Sequence, residues 1–544
     1  MTTNSKLTLK IIGFAALGGL FAMLQIHHSL RHGQLALPIT YDDNAYFGDA
    51  LTRLAAFHDN GLWHGLKGLV DNPPHSPWST AVPFFAFALF GNHDFSPAIA
   101  NGIMLAAFLG LYGLLTKNLP FRFVFPVIIA ALTWPIAGHF VIESRPDIAW
   151  GLMVAISAAL ICSAGTDGSK SLQFGAGALT GFALLAKPPI IPVTFFTVLA
   201  ALAFSSFFRT SIEIGHRSRS GMFLASCARV FGIAAVVGLP YYLIGGHHVI
   251  EYIRAHVLGA YKEIWNVKMA WHQHLAYYLL GPGGSTMMGG WIHGWIVTAG
   301  TASAIALVKR ERAACRFMWA YSATFLATYL AVSLAKTKSP YLGAVIPAMA
   351  LVSWIVAALY LFIVISREHD SRFRLWVLGI AMLAFGLLIF DWPWDRKGGI
   401  KIANELHEGT HKMVERVVAG VSAEEGQETS VFVAGAGAYL NAATLNYYAL
   451  KQGRSGVVFR DLHLSADLKA YKRSIGKSDF VVVFDPDSGI VFTWLPSGDA
   501  AFQKKVREFV RNEPGFSLVD HVLPSPSEGG VVIYENQRHV RHHY

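Results

Sequence analysis

Apolar residues fill most of the chain in long stretches separated by short polar turns. A helix needs about 20 such residues to cross roughly 30 Å of hydrocarbon. Eleven stretches reach about that length, near 9–29, 96–116, 123–141, 147–164, 171–187, 189–208, 222–244, 287–308, 317–335, 341–366 and 375–393. The first follows Lys6 and Lys10 and lacks a small-x-small cleavage site, so it reads as a retained anchor in preference to a removed signal peptide. The run from Pro77 to Phe90 is too short to span and reads as an interfacial or re-entrant helix. From about residue 396 the pattern changes. A helix over 400–419, a β-rich run at 430–434, a helix near 438–452, strands near 456–460 and 480–484, a helix near 498–512 and strands near 516–523 and 530–535 predict a small mixed or parallel sheet.

The expected architecture is therefore a polytopic α-helical membrane domain over 1–395, with loops 31–95 and 245–286, followed by a soluble α/β domain over 396–544. Composition agrees: 53% of the 544 residues are hydrophobic and only 14% charged, against about 25% in ordinary globular domains. The net charge of +10 would suggest nucleic acid in a soluble protein. Here the basic residues sit between apolar runs and orient the chain in a bilayer, so no nucleic-acid partner is expected. Three cysteines in or beside apolar segments give no disulfide framework.

Charge also fixes an expected orientation. If 77–90 does not span, the loops holding Lys117, Arg122, Lys170, Arg209, Arg217, Arg219, Lys309, Arg310, Arg312, Arg316, Arg367, Arg372 and Arg374 share one side, 13 basic residues in all. The opposite arrangement puts only seven inside, namely Arg145, Lys187, Arg254, Lys262, Lys268, Lys336 and Lys338. The positive-inside rule selects the first. Loops 31–95 and 245–286, the turns at 143–147, 187–189 and 336–340, and the C-terminal domain are then external.

Chemistry is most visible in the first external loop, where Asp42 and Asp43 stand side by side ahead of Asn44, Ala45 and Tyr46. Two readings coexist. The acids open a helix, favoured there by its dipole, and a helix start also holds an acid rigidly enough for proton transfer. Asp147 likewise begins an apolar span, as a helix cap paired with Arg145 or as a functional acid. In the C-terminal domain Gly435-Ala436-Gly437 follows a strand, but Leu440 stands where a dinucleotide fingerprint has its third glycine. A tight turn is the reading, with no nucleotide cofactor.

The order of motifs resembles the GT-C glycosyltransferases, in particular protein O-mannosyltransferases and lipid A aminoarabinose transferases of glycosyltransferase families 39 and 83. The resemblance rests on Asp42-Asp43 with Tyr46, His75-Ser76-Pro77-Trp78, Leu89-Phe90-Gly91, Arg145-Pro146-Asp147, the run Gly181 to Pro189 containing Lys187, and Lys338-Ser339-Pro340-Tyr341-Leu342 followed by Pro347. It covers about residues 5–350. It implies transfer of a sugar from a polyprenyl-phosphate carrier to an acceptor hydroxyl of a lipid, glycan or protein, with inversion, at the periplasmic face of a bacterial inner membrane. Asp42 matches the family's base, with Asp43 orienting it, binding sugar hydroxyls or being the base itself, and Asp147 assisting. Two departures stand out: Ala45 and Ser76 occupy positions where aminoarabinose transferases carry an Arg and a Lys. Other cations must then meet the phosphate, and Arg145, Lys187, Arg254, Lys336 and Lys338 are the candidates, with Tyr341 beside them. Some relatives hold a divalent metal between the His75 position and a histidine of the later loop, which nominates His75, His256 and His272. The non-enzyme alternative is a secondary transporter or lipid flippase. The lack of repeats and the placement of the acids at the rim, away from mid-membrane, argue against it.

Overall fold

The structure is a computed structural model that describes residues 3–39, 42–71, 76–167, 169–208, 219–255, 259, 262–368, 379, 382, 386, 400–421, 428–437, 439–485, 492, 493, 495–522 and 530–540. Helix α1 (Thr3–His32) is followed by α2 (Asp42–Asn60), α3 (Leu62–Val70), α4 (Pro77–Phe90) and α5 (Ser96–Leu115). Next come α6 (Phe121–Leu132), α7 (Pro135–Ile142), α8 (Pro146–Asp167), α9 (Lys170–Ala186), α10 (Ile191–Phe207) and α11 (Arg219–Ile253). Three short helices, α12 (Lys262–Trp265), α13 (Trp271–Ala276) and α14 (Pro282–Met287), precede the long α15 (Trp291–Val308), α16 (Arg312–Leu334) and α17 (Val345–Glu368). The remainder runs α18 (Ile400–Gly420), β1 (Thr429–Val433), α19 (Ala442–Lys451), β2 (Val457–Asp461), α20 (Leu468–Gly476), β3 (Phe480–Phe484), α21 (Ala500–Asn512), β4 (Phe516–Val522) and β5 (Val531–Asn536).

Among the described residues eight helices are long and apolar enough to cross a membrane, or nine if α6 and α7, bent by 69°, form one broken span. Eight of the eleven expected stretches coincide with those helices, and 123–141 is the bent pair. The stretch 171–187 is α9, a helix of 17 residues, and 375–393 lies almost wholly outside the described residues. Helix α4 is the short apolar helix expected at 77–90. Helix α11 continues to Ile253, past Pro240, so the first part of the expected loop 245–286 is helical.

The chain divides into two compact units, one of residues 1–25, 70–79 and 98–393, the other of residues 26–69, 80–97 and 394–544. In the first, α8 is apolar around its whole circumference, as suits a helix surrounded by others. It packs against α7, α9, α10, α16 and α17. At Gly151 of α8 a Cβ would fall 2.7 Å from the Ala344 carbonyl carbon, so only glycine admits the chain entering α17. The α6–α7 break has a visible cause. Pro135 opens α7, Trp134 stacks on Trp291 at 5.5 Å, and Trp291 donates its indole N–H to Thr133 Oγ1 at 3.1 Å.

The second unit is built on a five-stranded mixed sheet of order β2-β1-β3-β5-β4, in which β1, β2 and β3 are parallel and β4 and β5 antiparallel. Strand β3, Phe-Val-Val-Val-Phe, is buried along its whole length because it is the central strand, covered on both faces. On one face Val431, Val433, Val482 and Ile533 join residues of α18 and α19 and, from the first loop, Ile39, Tyr46, Phe47, Phe84 and Phe87. On the other face Phe432, Val481 and Val483 meet Tyr471 and Ile475 of α20 and Phe502, Val506 and Val510 of α21. Helix α20 is absent from the sequence expectation, although Leu468, Tyr471 and Ile475 already carry its apolar spacing.

Candidate functional site

In the first unit the residues that matter gather at the turn between α7 and α8. His139 in the middle of α7 and Glu143 just past its end are four residues apart and meet on one side. His139 Nδ1 lies 2.9 Å from Glu143 Oε1, and both residues are buried. Tyr341 donates its hydroxyl to the same Oε1 at 3.1 Å, and the Arg145 guanidinium sits 3.9 Å from the centre of the Tyr341 ring. Asn101 of α5 secures the turn by donating its amide to the Val141 and Glu143 carbonyls at 3.3 and 3.0 Å. Burial would raise the Glu143 carboxyl, but His139, Arg145 and the Tyr341 hydroxyl together hold it below its ordinary value.

One turn further, Pro146 starts α8 and Asp147 lies in its first turn, 1% exposed. Lys187, at the end of α9, donates to Asp147 Oδ2 at 3.1 Å. The structure thus pairs Asp147 with Lys187, where the sequence offered Arg145 as its partner, and gives Arg145 the face of Tyr341. Among the described residues Glu143 Oε2 and Asp147 Oδ1 have no hydrogen-bond donor, although both are buried. An unfilled carboxylate oxygen accepts a hydrogen bond from an N–H or O–H donor.

The other expected cations are dispersed. Lys338 is buried, donates to the Ser333 and Val332 carbonyls at 2.7 and 3.3 Å, and lies 5.0 Å from the Tyr278 ring centre. It closes the C-terminal end of α16, where a cation is favoured, and burial pulls its ammonium down to about 8. Lys336 and Arg254 are exposed. The Lys336 carbonyl accepts from the Val267 amide at 3.1 Å and Asn266 bridges to Thr337, which ties the later loop to the turn before α17.

The acid pair lies in the second unit. Asp42 and Asp43 are the first two residues of α2, Asp43 buried and Asp42 half-buried, and Tyr46 is wholly buried in the apolar core beside the sheet. Asn44, between them and Tyr46, donates its amide to Asn441 Oδ1 at 3.1 Å and Thr444 Oγ1 at 2.9 Å.

Of the expected metal ligands, His75 and His256 lie outside the described residues. His272 is exposed on α13 with its ring against Trp271, and no group of three or more His, Cys, Asp or Glu that would hold a metal occurs among the described residues. The glycine turn after β1 is filled by protein: Gln503 donates to the Ala434 carbonyl at 2.7 Å, and a Cβ at Gly435 would meet Gln503 and Phe484 at 3.1 Å.

His139 and Glu143 were missed as functional candidates. Their signal was present, an acid and a histidine at helical spacing on the edge of an apolar stretch, where ionisable groups are costly.

Together these features define a multi-pass helical membrane protein with buried charge at a helix break and a second, sheet-based unit that carries an acid pair. The fold is similar to that of ArnT from Cupriavidus metallidurans in the apo state, with a TM-score of 0.58 and 13% identity over 96% of this chain and 97% of that one. It is also similar to ArnT from the same organism bound to undecaprenyl phosphate, with a TM-score of 0.53, 13% identity and coverage of 96% and 98%. The likeness is one of fold and extends over nearly the full length of both chains. No protein-family model and no curated protein matches the chain.

Proposed function

We propose that this chain is a membrane glycosyltransferase that moves a sugar from a polyprenyl-phosphate carrier to an acceptor hydroxyl, with inversion, at the periplasmic face of a bacterial inner membrane. The observation that carries the reading is the end-to-end likeness in fold to a protein solved with undecaprenyl phosphate bound. The buried charges support it. Carboxylates and cations removed from water cost several kcal/mol each unless paired, and here they are paired at the ends of α7, α8 and α9 with two acceptor oxygens left over for donors among the described residues.

In this reading Asp42 takes the proton of the acceptor hydroxyl as the glycosidic bond forms, and Asp43 orients it or binds sugar hydroxyls. Arg145, Arg254 and Lys336 supply positive charge to the leaving phosphate. Lys187 and Lys338 serve first to neutralise Asp147 and to close α16. Glu143 and Asp147 accept hydrogen bonds from the sugar.

Two measurements test the proposal. Purified full-length protein in nanodiscs should retain added undecaprenyl phosphate in native mass spectrometry, and the lipids and envelope glycans of a deletion strain should lack one sugar that complementation restores. Failure to bind the carrier, together with an unchanged glycan inventory, overturns it. The orientation is tested by single cysteines at Asn118 and Ser144 with an impermeant reagent. Labelling only at 144 from outside is expected, and the reverse puts the acids on the wrong face.

A further inference from the structure

Thr444 of α19 is wholly buried and has one hydroxyl proton to give. Its Oγ1 donates to the Ile39 carbonyl at 3.2 Å and accepts from the Asn44 amide at 2.9 Å. The Asn44 amide gives its other hydrogen to Asn441 Oδ1 at 3.1 Å, and the same Oδ1 accepts the Thr444 backbone N–H at 2.9 Å as the cap of α19. Asn441 in turn donates to the Gly437 carbonyl at 3.1 Å. Each group has a role it can fill, so the network has one consistent arrangement. It grips the chain at Ile39, three residues before Asp42, and at Asn44, immediately after Asp43.

The helix that does the gripping is itself anchored. Asp94 accepts from the Tyr447 hydroxyl at 2.6 Å, the Tyr448 hydroxyl at 3.0 Å and the Lys451 ammonium at 2.6 Å, along the remaining length of α19. Phe47 packs edge-on against Tyr447 with ring centres 5.9 Å apart. An exposed pair of acids at a fraying helix start would be free to move. This pair is bounded on both sides by a buried threonine about 400 residues away in sequence.

We propose that α19 is the positioning element for the acid pair, with Thr444, Asn44 and Asn441 as positioning residues, so that the C-terminal sheet unit is a working part of the transfer reaction. The proposal rests on the glycosyltransferase reading and on Asp42 or Asp43 as its base. Because a small misplacement of a reacting group costs a large factor in rate, the clamp should act on turnover and leave carrier affinity alone.

The test uses full-length variants reconstituted into membranes of the deletion strain, supplied with increasing amounts of the polyprenyl-lipid fraction of the parent strain, with sugar transfer followed by mass spectrometry. Thr444→Val, which keeps shape and removes the hydroxyl, should lower the maximal rate about tenfold and leave the half-saturating lipid within about twofold. Thr444→Ser keeps the hydroxyl and should restore the rate to within about twofold of wild type. Hydrogen exchange should accelerate over residues 42–50 in Thr444→Val and not in Thr444→Ser, with β3 equally protected in both, which shows that the unit is folded. Wild-type turnover by Thr444→Val, or equal impairment of both variants, overturns the inference while the glycosyltransferase reading stands. A wild type that transfers no sugar from this fraction removes that reading and the inference with it.

Discussion

The turn between α7 and α8 and the start of α2 both present acids, and they hold them by opposite means. Glu143 and Asp147 are buried against His139 and Lys187, with Arg145 and Tyr341 alongside. Asp42 and Asp43 open a helix whose adjoining Asn44 is fastened by a neutral amide and a neutral hydroxyl. A carboxylate deep in apolar surroundings stays ionised only with opposite charge beside it. One at a helix start is favoured in addition by the helix dipole. Loss of charge is therefore expected to act on stability at the buried pair and, in the proposed reaction, on turnover at the helix start.

The largest effect expected from this contrast is on turnover. Asp42→Asn should lower sugar transfer in the reconstituted assay by about 10²–10⁴ with little change in carrier binding or melting temperature. If Asp43→Asn abolishes transfer and Asp42→Asn does not, the base is the second acid of the pair. If both variants remain active, the pair is only a helix start and the contrast collapses.

Lys187→Met should act on stability. Removing one partner of a buried ion pair costs about 3–5 kcal/mol, read as a lower unfolding midpoint in detergent. Adding Asp147→Asn to it should recover much of the loss, because the uncompensated charge is then gone. Additive losses in the double variant would show that the pair is not coupled.

Gly151→Ala tests the scaffold behind the turn. A methyl group there meets the Ala344 carbonyl carbon at 2.7 Å and the Val345 nitrogen at 2.8 Å, backbone that cannot swing aside. The cost of overpacking is about 1–3 kcal/mol, with the chain at 341–345, and so the Tyr341 hydroxyl, displaced from Glu143. An unchanged midpoint would mean that α8 and α17 can separate at this point.

The smallest expected effect is on pH dependence. Glu143 titrates below its ordinary value of 4.5 in the folded protein. Its contribution to stability is therefore complete above that ordinary value and is lost as pH falls through the lower folded value. Unfolding midpoints measured from pH 7 down to 3 should drop in the acid range, and Glu143→Gln should flatten that part of the profile. A profile identical in the variant would remove Glu143 as its source.

Eight of the apolar stretches, the short run before Phe90, the strands of the C-terminal sheet and the acids opening a helix were legible along the chain, because each depends on neighbours within a few turns. Hydrophobic length decides a span and period-2 alternation decides a strand, whatever lies elsewhere in the molecule. Helix α20 was also written locally and was overlooked. Partnership was not legible. Nothing in the spacing tells that Lys187 meets Asp147, that Lys338 turns back on its own helix end, or that Arg145 lies on Tyr341. Nor does it tell that Asn44 is held by Thr444 or Asp94 by α19. Charges and amides select partners by distance and by the need to satisfy every buried donor and acceptor. Only the folded chain, bringing residues about 400 positions apart into contact, decides which of several equivalent lysines or threonines is there to answer.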